Sequence, residues 1–99
     1  MSDNANGVKH DSQKPRADLL LDFGNALLAV AEVSTFGANK YAPHDWLLVP
    51  NAKERYTAAM LRHLLQSGIE SKDSETQIEH MAHVAWNALA VLELSRRGK

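Results

Sequence analysis

The chain has 99 residues, 44% hydrophobic and 23% charged, which fits one globular domain and excludes a disordered tail. With 11 basic and 12 acidic residues the net charge is −1, so a generic basic nucleic-acid binder is excluded, no DNA partner is expected, and any anion site must be local. There is no cysteine, so neither disulfides nor thiolate metal sites are available. No uninterrupted apolar run reaches the ~18 residues of a membrane span, and no membrane partner is expected.

In chain order, Met1 to Val8 is small and polar and reads as a flexible lead-in; residues 9–99 read as a single helical domain. Lys9 to Arg16 concentrates charge, and Pro15 delays any helix to that point or beyond. The first helix is predicted from Leu19 to about Ala38, with Phe23, Leu27, Val30 and Ser34 on one stripe and Gly37 near its end. A loop follows from Asn39 to Pro50, with room for a short turn near Trp46. The second helix is predicted from Ala52 to Gln66, capped by Asn51, with Ala58, Leu61 and Leu65 on one stripe and Met60 with Leu64 on another. Ile69 to Glu75 is an acidic connection. The third helix is predicted from about Thr76 to Arg96, capped through Ser74 or Thr76. No stretch alternates with period two, so the fold class is all-α: a small bundle of three main helices that assembles into a homo-oligomer.

The third helix carries the chemistry. Ile78, Met81, Ala82, Ala85, Leu89 and Leu92 share a broad apolar stripe, while Val84, Val91 and Leu94 lie nearly opposite. A helix apolar nearly all round, in so short a chain, points to burial against other subunits. His80, His83 and Asn87 fall in one narrow sector. Such polar groups are either satisfied core side chains or part of a binding site. His63, from the second helix, adds an imidazole that with His80 and His83 would resemble a zinc site. Arg62 is either a phosphate fork or a surface partner of Glu54, Glu70 or Asp73. Glu32 stands among apolar residues, where a carboxylate is partly buried and paired or aimed into a cleft. His10-Asp11 and His44-Asp45 lie in loop-like sequence, unlike the helical His-Asp pairs of metal phosphohydrolases.

Four blocks together resemble a family. Lys9-His-Asp11-Ser-Gln-Lys14-Pro15-Arg16 followed by Asp18-Leu-Leu is similar to the opening of phage dATP/dGTP diphosphohydrolases. Thr35-Phe-Gly-Ala-Asn-Lys40-Tyr41 with His44-Asp-Trp46, then Arg62-His63-Leu-Leu, then His80-Met-Ala-His83-Val-Ala-Trp86-Asn87, match its later blocks in order. The resemblance spans nearly all of residues 9–94 and implies relation to all-α nucleoside triphosphate pyrophosphohydrolases. Those are helical oligomers holding Mg²⁺ or Mn²⁺ on an E-x-x-E and an E-x-x-D pair. Here the first pair is reduced to Glu32, and His80 and His83 stand where the second would fall.

The resemblance implies a purine-nucleotide ligand, a homodimer or homotetramer, phage origin and a place in the cytoplasm of the infected bacterial host. Its leading reading is a sponge that sequesters cyclic nucleotide immune signals without a metal cofactor. Lys9, Lys14, Arg16, Lys40 and Arg62 would hold phosphates, and Tyr41 and Trp46 would stack on bases. Asp11, His63, His80, His83 and Asn87 would supply hydrogen bonds. The alternative is a dATP/dGTP pyrophosphohydrolase using Mg²⁺ or Mn²⁺, with Glu32, Glu70, Asp73 and Glu79 as metal ligands. A structural helical oligomer without a ligand is the remaining alternative.

Overall fold

The computed structural model describes residues 13–99; the lead-in, Lys9 and Asp11 lie outside the described residues. A 3-10 helix, Ala17–Phe23, runs directly into helix α1, Gly24–Lys40. A 3-10 turn, Asp45–Leu48, bridges to α2, Ala52–Ser67, and α3 spans His80–Arg96. Among the described residues there is no strand, only an isolated antiparallel bridge between Lys72 and Glu79. The fold is all-α, with α3 packed more extensively on α2 than on α1.

Three local expectations change. The first helix, predicted from Leu19, is 3-10 as far as Phe23 and becomes an α-helix at Gly24. Asn51 precedes α2 with φ 54° and makes no side-chain cap, because the left-handed backbone turns its side chain away from the first amides. The third helix begins four residues later than its apolar pattern implies. Asp73 Oδ2 accepts from the Glu75 and Thr76 amides at 3.0 and 2.9 Å, an Asx turn, and Gln77 takes φ 61°. The chain therefore loops over residues 73–78, and the bridge delivers it into α3, with the His80 amide donating to the Ser71 carbonyl at 2.8 Å.

The larger correction concerns which faces turn inward. On α3 the buried residues are His80, His83, Asn87, Ala90 and Leu94, together with Ala82. The first five are spaced three and four apart, a seam. The broad apolar stripe is divided: Ala82 is buried and Ile78 and Ala85 are half-buried, while Met81, Leu89 and Leu92 are exposed. On α2, Leu61, Leu64 and Leu65 are exposed, while Tyr56, Met60 and His63 lie half-buried on one face. On α1, Val30 and Val33 are buried and Leu27 and Leu28 are not. The reason is packing partnership. The buried polar side chains find hydrogen-bond partners within the chain, whereas Leu61, Leu65, Leu89 and Leu92 stay on its exposed faces.

The segment Ala17–Lys40 also corrects the membrane count. The 24-residue segment is long enough to cross a membrane, and an 18-residue window within it reaches a mean hydropathy of 1.4. Isolated acids such as Asp22 and Glu32 interrupt an apolar run without lowering its average below that of a span. Length and composition alone are weak grounds for a membrane role, because core helices of soluble proteins share both.

Leu94 anchors the apolar end of the seam at 2% exposure. Leu94→Ala should destabilise the protein by about 2–5 kcal/mol, the range for a buried leucine. For a domain this small, thermal melting should shift down by on the order of 10 °C or more. A shift within the scatter of surface variants would show that this end of the seam is not the core.

Candidate functional site

A cleft of about 1220 Å³ opens between the end of α1, the 3-10 turn, α2 and α3. Its aromatic floor is a trio. Trp46 and Tyr56 lie edge-on to Trp86, with ring centroids 5.9 and 5.4 Å away. The Tyr56 hydroxyl donates to the Trp46 carbonyl at 2.6 Å, and the Trp86 indole N–H donates to Ser34 Oγ at 2.8 Å. These bonds fix the loop and α1 on the same cleft. Trp46 is thus committed to packing as well as available at the cleft wall. Tyr41 is exposed at the rim, beneath the Lys40 ammonium at 5.5 Å.

The polar wall is built around three imidazoles. His63 and His83 stack with centroids 4.4 Å apart and planes 8° from parallel. His63 Nδ1 faces His80 Nδ1 at 2.9 Å. His80 is fully buried, and its Nε2 lies 3.4 Å from Glu70 Oε1. That contact favours an N–H on Nε2 and a lone pair on Nδ1, so His63 Nδ1–H is the donor between them. His83 Nε2 is 2.7 Å from Thr76 Oγ1, and the Asn87 amide donates to the His83 carbonyl at 2.8 Å. The sector of polar residues on α3 is therefore buried and satisfied.

Burial lowers the His63 pKa, and neighbouring His83 lowers it further. Burial also lowers that of His83, against the opposing pull of Asp73. For Asp73, burial pushes the carboxyl up, but the Thr76 and Glu75 amides and the nearby imidazoles outweigh it, and the net direction is down. All three groups resist protonation in the fold.

The cleft collects Lys40, Tyr41, Trp46 and Arg62 with His63, His83 and Asn87. His80 lies behind His63 rather than on the wall. Lys40 is held by Glu75 at 2.8 Å, which raises its pKa. Arg62 makes no ion pair among the described residues, so it is not the surface partner of Glu54, Glu70 or Asp73. Lys14 and Arg16 do not line the cleft; Arg16 is exposed and paired with Asp18 at 2.8 Å. Sequence reasoning did not single out Tyr56, Glu75 or Thr76. The seven-residue spacing from Tyr56 to His63 places both on one face of α2 and was the available signal.

The proposed acidic ligands separate. Glu32 is exposed and off the cleft, so it is neither buried nor aimed inward, because α1 turns Val30 and Val33 to the core instead. Glu79 is exposed at the start of α3. Glu70 meets His80, and Asp73 sits with His63 and His80. Within one chain, among the described residues, Glu32, Glu70, Asp73 and Glu79 do not converge into an acidic two-pair centre for Mg²⁺ or Mn²⁺.

A model of the family "dATP/dGTP diphosphohydrolase, N-terminal" matches residues 4–99, and the chain belongs to this family. No curated protein and no solved structure matches the chain.

The depressed histidines make stability pH-dependent. The unfolded chain binds protons on His63 and His83 once pH falls below about 6.5, whereas the folded chain resists until lower pH. Their contribution is whole above about 6.5 and is lost as pH falls through the folded values. Melting temperature should therefore drop between about pH 7 and pH 5, before most carboxylates titrate. His63→Gln should flatten that drop; an unchanged profile would place the sensitivity elsewhere.

Proposed function

We propose that this cleft binds a purine nucleotide and that the chain hydrolyses dATP and dGTP to the monophosphate and pyrophosphate. One observation carries the reading: a single cleft gathers cations, stacking aromatics and neutral imidazoles from three separate blocks of the sequence. Arg62 is the fixed fork for phosphate oxygens, and Lys40 adds a point charge at the rim. Tyr41 and the cleft edge of Trp46 offer π faces to the base, worth about 1–3 kcal/mol per stacked base. His63, His83 and Asn87 supply donors and acceptors for the base edge or sugar. In the reaction water attacks the α-phosphorus, the bond from that phosphorus to the α–β bridging oxygen breaks, pyrophosphate leaves with that oxygen, and the proton lost by the water passes to solvent. Family membership supports this choice of substrate and bond.

Sequestration of a cyclic nucleotide is the second reading. The dispersal of Glu32, Glu70 and Glu79 favours it, because the acidic centre of pyrophosphohydrolases is not assembled. One pair of assays separates the two. Incubation with dGTP and divalent cations should release pyrophosphate and dGMP. A sponge releases none and returns a bound cyclic dinucleotide intact after heat denaturation.

Arg62→Ala should weaken nucleotide binding by about 1.5–3 kcal/mol, the range for a hydrogen bond to a charged group. Glu75→Gln should do the reverse, because it frees Lys40 from its present partner. Titration calorimetry with dGTP reads both. Equal affinity in wild type and Arg62→Ala would remove the phosphates from this cleft.

Assembly into a homodimer or homotetramer is part of the same proposal. Leu61, Leu65, Met81, Leu89 and Leu92 are exposed on α2 and α3, more apolar side chain than a monomer of this size ordinarily leaves in water. Light scattering should give at least twice the monomer mass at micromolar concentration. A stable monomer would mean that the leucine faces serve another partner or a membrane surface.

A further inference from the structure

We propose that His63, Asp73 and His80 form a binding site for a six-coordinate divalent transition-metal ion, separate from any acidic Mg²⁺ centre. One ligand atom from each of these three residues lies within 4.8 Å of the other two. The two imidazoles present Nδ1 to Nδ1 at 2.9 Å. An ion about 2.1 Å from each nitrogen would see them at an angle of about 87°. That is near the right angle of an octahedral site and well short of the tetrahedral angle, so a closed zinc site of three imidazoles is the poorer fit. Two histidines and one carboxylate on one face of an ion are the donor set of open, six-coordinate centres.

The surroundings are built for such a role. Glu70 sits 3.4 Å from His80 Nε2, on the far side of the ring from the facing nitrogens. A carboxylate there fixes the tautomer that aims the Nδ1 lone pair at the ion. Asp73 is oriented by two amide hydrogen bonds to Oδ2, and none of its hydrogen bonds among the described residues uses Oδ1. His83 does not join, because its Nε2 is engaged by Thr76 and its ring is stacked on His63. Binding needs one proton to move: His63, a neutral imidazole, changes tautomer, so that its one hydrogen leaves Nδ1 and a hydrogen is carried on Nε2. His63 and Asp73 line the cleft, so the remaining coordination positions lie at its wall.

The test uses the full chain without a histidine tag, stripped with chelator and free of nucleotide. Titration with Co²⁺ and Ni²⁺, followed by metal analysis after dialysis, should give one ion per chain. Co²⁺ should show the weak visible bands of a six-coordinate ion. His63→Ala and Asp73→Asn, the latter keeping the Asx turn, should lose stoichiometric binding while retaining the helical circular dichroism of wild type. Glu70→Gln should weaken binding roughly 10–100-fold, as removal of an orienting partner does. Glu32→Ala should bind as wild type. Absence of binding to wild type, intense four-coordinate bands, or unchanged binding in a folded His63→Ala would each overturn the proposal. Because no nucleotide is present, none of these outcomes depends on whether the cleft binds or hydrolyses one.

Discussion

Two imidazole nitrogens facing each other across the α2–α3 interface constrain the rest of this protomer. A buried nitrogen without a partner costs stability, so the helices must hold the pair in register. His63 lies on α2 and His80 is the first residue of α3, so the contact sets how the two helices slide past one another. The stacked His83 ring, one turn further along, sets their rotation. The connecting loop follows from the same demand. Asp73 must fold the chain tightly enough for the bridge at Lys72 and Glu79 to start α3 at His80 rather than earlier.

This arrangement inverts the usual division of a small helical domain. The seam inside the protomer is polar at one end and apolar only toward Leu94, while leucines occupy the outer faces. Hydrogen bonds contribute modest net stability, about 0.5–1.5 kcal/mol each. A core of Val30, Val33, Ala82, Ala90 and Leu94 is thin for a domain of this length. The apolar area that would complete it is on the surface. The hydrogen-bonded contacts lie inside the chain, and much of its apolar side-chain area lies on the outside.

That inversion explains what was legible in the sequence. Helix number, type and approximate bounds follow from periodicity, and α2 was placed to within a residue at its end. The grouping of His80, His83 and Asn87 follows from spacing alone. Their burial in preference to Met81 and Leu89 does not, because periodicity shows that a helix has two faces without showing which one meets its neighbour. The start of α3 was misplaced for a local reason: Thr76 to Glu79 has helical composition, but the Asp73 side chain offers those amides a competing partner. The convergence of Asp73 with His63 and His80 was hidden in a loop, where spacing carries no geometry. The reading of Lys14 and Arg16 as site residues came from the family resemblance, and Asp18, two residues on from Arg16, supplies a local partner for Arg16.

The Lys40–Glu75 pair links these levels. It joins the last residue of α1 to the loop that orders Asp73, across the mouth of the cleft. As an exposed pair it adds little stability. Its consequence is electrostatic. With Glu75 in place the Lys40 charge is offset, and Arg55 and Arg62, neither of them in an ion pair among the described residues, are the unpaired cations lining the cleft. An anion that draws Lys40 away from Glu75 also loosens a contact on the Asp73–Thr76 turn, whose Thr76 hydroxyl meets His83. In the proposed nucleotide complex, a ligand at the rim would reach the imidazole cluster through this one short loop.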